Sequence, residues 1–91
     1  MFDWNDIRLF LAVAESGSAL GAARLLGLNQ TTVTRRMDVL ERQLGLTLFE
    51  RRTMGYRLTE DGEVLLAAAR PMGELANAIE SHTTRGMLLV D

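Results

Sequence analysis

With 91 residues, 47% of them hydrophobic, the chain can build one compact core, which excludes a multidomain enzyme with a deep substrate pocket. It has no cysteine, so neither a disulfide framework nor a thiolate metal site is available. The net charge of -2 argues against a polyanionic partner only until it is resolved along the chain: residues 24–57 carry seven arginines against three acids, +4, between residues 1–23 at -2 and residues 58–91 at -4.

All ten basic residues are arginine. The guanidinium fork suits phosphates and guanine edges, and a uniform choice of arginine also follows from genome base composition. No apolar run approaches the ~18 residues that span a bilayer. The N-terminus "MFDWNDIRLF" is acidic where a secretory signal would be basic. The chain is therefore expected to be cytoplasmic, with no membrane partner.

In chain order, Asp3 is placed to cap a first helix in which Trp4, Ile7, Phe10, Leu11 and Ala14 share one face. Ser16-Gly17 stops it, and Ser18 caps a short second helix, "ALGAARLL", whose Ala22, Ala23 and Leu26 allow close approach of a neighbour. Gly27 ends that helix in the left-handed conformation. Asn29 caps a third helix with Val33, Met37, Leu40 and Leu44 as its buried stripe, terminated at Gly45. Two helices joined by a tight turn containing glycine read as a helix-turn-helix.

The period then changes. Leu46, Leu48, Tyr56 and Leu58 alternate with polar residues around a turn at Thr53-Met54-Gly55, which predicts a short two-stranded hairpin with arginines on its arms, a wing. From Thr59, a cap followed by Glu60, Asp61 and Glu63, the pattern is again helical. Leu65, Ala68, Met72, Leu75 and Ile79 form a coiled-coil-like seam. That seam either covers its own domain or pairs with a second copy. Further apolar residues at Val64, Leu66, Ala69 and Ala76 exceed what one small neighbour covers, which favours pairing. Pro71 removes a backbone donor, so the helix either bends at the preceding turn or gives way there to a second helix. The final "RGMLLVD" reads as the first strand of a further domain.

The chemistry is concentrated at the start of the third helix. In a helix-turn-helix, the second helix lays its N-terminal residues against base edges in the major groove, so they must be polar and exposed while the stripe behind them stays buried. Gln30 can present its amide to adenine, Thr31 and Thr34 can touch thymine methyls or phosphates, and Arg35 can fork onto guanine. Asn29 and the helix N-terminus favour a nearby phosphate, and Arg36 is better placed for the DNA backbone than for bases. Taken alone, the window equally describes a capped, solvated amphipathic helix. The wing shifts that balance, because Arg51, Arg52 and Arg57 on a hairpin directly after a recognition helix can enter an adjacent minor groove.

Catalysis has no comparable support. His82 is the only histidine, without a second ligand at metal spacing. Asp61 and Glu63 are helix-start charges, and Trp4 and Phe49 are core residues rather than platforms for single-stranded bases. There is no GxGxxG, P-loop or Ser/His/Asp set, so neither an enzyme nor a cofactor is expected. The competing class is a winged-helix module that docks a partner protein through the same arginines.

These residues resemble the N-terminal DNA-binding domain of LysR-type transcriptional regulators. The likeness runs through "LFLAVAESGSALGAARLLGLNQTTVTRRMDVLERQLGLTLFERR" and "YRLTEDG" and covers about residues 4 to 85. It rests on Phe10, Ala14-Glu15, Ser18, Ala22-Ala23, Leu26, Leu40-Glu41, Leu44-Gly45, Leu48-Phe49, Arg51, Leu58-Thr59 and Gly62. It implies a mainly α fold: a winged helix-turn-helix of three helices and a two-stranded wing over 1–58, a long dimerisation linker helix over 59–85, and the start of an effector domain over 86–91. It further implies a homodimer on an inverted repeat in bacterial promoter DNA, with any small-molecule effector bound by the C-terminal domain. The DNA-reading residues by match are Gln30, Thr31, Thr34 and Arg35. The chain departs from the family's common pattern in having Asn29-Gln30-Thr31 for Ser-Gln-Pro and Thr34 for serine. Leu20 and Gly21 also replace an aromatic residue and a threonine, which is expected to soften the second helix.

Overall fold

The computed structural model describes the backbone of residues 3–90 and the side chains of residues 3–81. The elements run α1 (Trp4–Ser16), α2 (Ala19–Leu26), α3 (Gln30–Leu44), β1 (Phe49–Arg52), β2 (Gly55–Leu58) and α4 (Glu60–Val90). This is a winged helix-turn-helix followed by a long helix.

Each helix starts where a side chain answers the unpaired amides of its first turn. Asp3 and Asp6 form a reciprocal capping box, with the Asp6 N–H donating to Asp3 Oδ1 at 3.2 Å and the Asp3 N–H donating to Asp6 Oδ2 at 3.0 Å. Ser18 Oγ accepts from the Gly21 N–H at 2.9 Å, and Asn29 Oδ1 accepts from the Thr31 N–H at 2.8 Å. Thr59 Oγ1 accepts from the Gly62 N–H at 3.0 Å and donates to the Thr47 carbonyl. All four caps fall on the residues that the sequence marks for them.

α1 lies at the centre. Ile7, Leu9, Phe10, Ala12 and Val13 are all buried, because α2, α3, α4 and β2 pack around the helix. A single stripe therefore understates its burial: Leu9, Ala12 and Val13 join the core, while Trp4, Leu11 and Ala14 are half-buried at its edge. From α3 the core receives Val33, Met37 and Leu40, and from the start of the wing Leu48 and Phe49. Phe49 is packed between Phe10 and Tyr56, with ring centroids at 5.4 and 5.5 Å, which joins the sheet to α1 through aromatic contact.

The strands are antiparallel, with Phe49 opposite Leu58, Glu50 opposite Arg57, Arg51 opposite Tyr56 and Arg52 opposite Gly55. Leu46 and Leu48 precede the ladder rather than belonging to it, since both are claimed by other contacts: the Leu46 N–H donates to the Glu41 carbonyl, the Leu48 N–H donates to Glu41 Oε2, and the Leu48 carbonyl accepts from the Thr59 N–H.

α4 is one helix with Pro71 inside it, so the two-helix alternative does not hold. Residues 86–90, expected to begin a strand, continue the helix, and Asp91 lies outside the described residues. A short apolar run cannot be told from a helical segment by periodicity. α4 starts close against the wing: a Cβ on Gly62 would collide with the Leu48 carbonyl oxygen, so only glycine fits that approach. Farther along, Leu65, Leu66 and Ala69 pack into the common core.

Candidate nucleic-acid interface

The outward surface of α3 opposes its buried stripe. At 100° per residue, Thr31, Arg35, Asp38 and Arg42 follow one another along the solvent side. Arg35 is exposed, as are Asn29, Gln30, Thr31 and Arg36. Thr34 is half-buried at the flank. Arg36 projects from the other flank, away from the Gln30 and Thr34 side. The exposed start of α3 thus carries an amide, hydroxyls and a guanidinium beside N–H groups of the first turn, a surface suited to base edges and phosphate.

The wing sorts its arginines by strand alternation. Phe49, Arg51, Tyr56 and Leu58 share the face turned toward the domain, whereas Glu50, Arg52 and Arg57 share the outer face. Arg51 reaches α3, where its guanidinium donates to Asp38 Oδ1 at 2.8 Å, and it lies 5.9 Å from the Tyr56 ring centroid. Arg52 pairs with Glu50 at 3.0 Å on its own strand. Arg57 faces Glu50 across the ladder and makes no ion pair among the described residues. The three arginines, grouped together on sequence grounds, therefore divide into one tied to α3 and two on the outer face.

The connection between α3 and the wing is held by Glu41, whose Oε2 accepts from the N–H groups of Leu48 at 2.6 Å and Phe49 at 3.4 Å. This side chain leaves α3 and fixes the point at which the wing begins. Asp38 is the site residue that sequence reading missed. Its spacing of three and seven from Arg35 and Thr31 places it on the same stripe, but its partner stands 13 residues away.

On α4 two apolar faces lie side by side. Gly62, Leu65, Leu66, Ala69 and Gly73 turn toward the domain. Val64, Ala68, Met72, Leu75 and Ile79 turn outward, with Val64, Met72, Leu75 and Ile79 exposed by 66, 45, 63 and 57%. Leu65, expected on the pairing seam, is instead half-buried against its own core, and Val64 occupies the outer face at that turn. Four of the five seam residues are left uncovered. Among the described residues no helix is long and apolar enough to cross a membrane. His82 lies outside the described side chains.

Residues 4–63 match the bacterial regulatory helix-turn-helix proteins of the lysR family. The chain belongs to that family. Its relatives include the HTH-type transcriptional regulator TfdS of Cupriavidus pinatubonensis, 44% identical over 73 residues that span 80% of this chain and 25% of TfdS. TcbR of a Pseudomonas species is 40% identical over 74 residues, 81% of this chain and 25% of that regulator. The chain thus spans about a quarter of the length of the curated relatives it matches. Among solved structures, the CbnR_DBD-DNA complex matches with a TM-score of 0.79 at 35% identity, covering 94% of this chain and 99% of that one. The BenM_DBD/catB site 1 DNA complex matches with a TM-score of 0.83 at 28% identity, covering 92% and 94%. The winged helix-turn-helix of this LysR-family chain is therefore the fold of two chains solved on DNA.

Proposed function

We propose that this chain is the DNA-reading part of a LysR-type transcription regulator, and that it binds double-stranded promoter DNA sequence-specifically as a homodimer on an inverted repeat. The observation that carries this reading is the exposed polar start of α3, backed by a buried stripe and flanked by a basic wing held to the same helix through Glu41 and Arg51. The likeness to CbnR and BenM chains solved with DNA supports it.

In this reading Gln30, Thr31, Thr34 and Arg35 meet base edges in the major groove, while Asn29 and Arg36 hold flanking phosphates. Arg52 and Arg57, on the outer face of the wing, reach the neighbouring minor groove. The uncovered face of α4 pairs with the same face of a second copy, which buries Met72, Leu75 and Ile79 and relates two reading heads by a twofold axis. Effector binding is assigned to the part of the regulator beyond this chain, and the setting is the bacterial cytoplasm.

The test is selection of bound duplexes from a random pool, followed by titration of the winner and of random DNA at two salt concentrations. Enrichment of an inverted repeat with half-sites on one face of the duplex is the expected result. Salt-sensitive binding with no enrichment would refute sequence reading. No DNA affinity at low salt would favour docking of a protein partner.

A further inference from the structure

Asp38 is an anomaly on a surface proposed to meet a polyanion. It stands one helical turn beyond Arg35 and one before Arg42 on the outward stripe of α3. A free carboxylate there would repel phosphate. Its charge is taken up by Arg51, which crosses from β1 to donate at 2.8 Å and lies beside the Tyr56 ring. The two side chains are 59 and 44% exposed, and pairs so open to water add little to folding stability. What the pair does fix is geometry, since it is the one ion pair among the described residues that joins the wing to the reading helix.

Resting on the DNA-binding reading above, we propose that Asp38 and Arg51 form a strut that sets the wing at a fixed distance from α3 and withholds Arg51 from the phosphates. Arg51 is then a positioning residue, and the arginines available to DNA from the wing are Arg52 and Arg57. Two consequences follow from the charges. Removing the Asp38 charge releases Arg51 as an additional phosphate ligand, which raises affinity for any duplex and lowers discrimination. Removing Arg51 leaves the carboxylate unmasked on the reading surface, which lowers affinity for all duplexes without subtracting a phosphate contact.

The experiment uses the 91-residue chain with Asp38→Asn, Arg51→Gln and the double substitution. Binding is titrated against the duplex selected by the unsubstituted chain and against random duplex, each over a range of salt. Each phosphate contact contributes about 0.9 to the slope of log affinity against log salt. Asp38→Asn is expected to steepen the slope on random DNA by about 0.9 and to lower the selected-to-random ratio by about three- to fivefold, the scale of an exposed ion pair. The double substitution is expected to lose the added slope, because the released arginine is gone; a gain that persisted there would come from removal of repulsion alone and would count against the strut. Arg51→Gln is expected to leave the slope unchanged, and a slope flatter by about 0.9 would make Arg51 a phosphate ligand and overturn the proposal.

A readout without DNA separates this idea from the reading on which it rests. Backbone amide order parameters over residues 51–57 should fall in both single variants while the melting temperature holds. Unchanged order parameters would overturn the strut even if the chain reads DNA. Lowered ones in a chain that enriches no duplex would keep the strut and refute only the DNA reading.

Discussion

The backbone N–H of Tyr56 donates to the Gly17 carbonyl at 2.7 Å, so the second strand of the wing is fastened to the turn between α1 and α2. Neither partner is near the other in sequence, and the contact brings the two turns so close that a Cβ on Gly55 would stand 2.5 Å from the Gly17 oxygen. Gly55 also holds φ at 112°, a region that side-chain-bearing residues avoid.

Gly55→Ala should therefore strain the backbone and break the Tyr56 bond together. The expected loss is about 2 kcal/mol. For a domain of this size, thermal denaturation should show a melting temperature lower by about 10 °C. An unshifted melting curve would mean that the wing moves away without penalty.

Glu41→Ala removes the acceptor for two part-buried amides and should destabilise the fold by about 2 kcal/mol in urea unfolding, whereas Glu41→Gln keeps an acceptor oxygen and should lose less. Equal losses from both would show that the negative charge, rather than the oxygen, holds Leu48 and Phe49.

On α3, Arg35→Ala is expected to lose about 1–3 kcal/mol of discrimination at one base position. Arg36→Ala should instead weaken all duplexes alike and reduce the salt slope by about 0.9. Binding isotherms on the selected duplex, its single-base variants and random DNA separate the two roles. Identical profiles would remove the distinction between groove and backbone that their positions on α3 suggest.

On α4, Leu75→Glu with Ile79→Glu should give a monomer in sedimentation experiments, with little change in melting of the domain, because both side chains are exposed. Leu65→Glu should do the opposite, unfolding the domain through its place against the core. A dimer that survives the outer pair would move the proposed interface elsewhere.

The local features were the legible ones. Asp3, Ser18, Asn29 and Thr59 cap their helices through contacts two or three residues away, which sequence spacing encodes directly. The start of α3 was legible for a related reason, since polar residues in front of an apolar stripe must face outward. Burial of Leu9 and Val13 was not, because a helix enclosed on several sides has no single stripe to read. Leu65 packs against its own core rather than standing with the exposed seam residues, because α4 carries two apolar faces about a third of a turn apart and a three-four spacing fits either. The ties of Arg51 to Asp38 and Tyr56 to Gly17 join residues distant in the chain, and no local pattern announces them.

Gly73 lets α4 come close to α1: a Cβ there would meet Leu11 Cδ1 at 3.0 Å and Trp4 Cη2 at 4.0 Å. Trp4 is the only tryptophan of the chain. The protein thus carries an intrinsic fluorophore at the seam between α1 and its long helix. Tryptophan emission should follow the docking of that helix, so a titration with DNA or a second copy can be watched for a shift in helix seating without attaching any label.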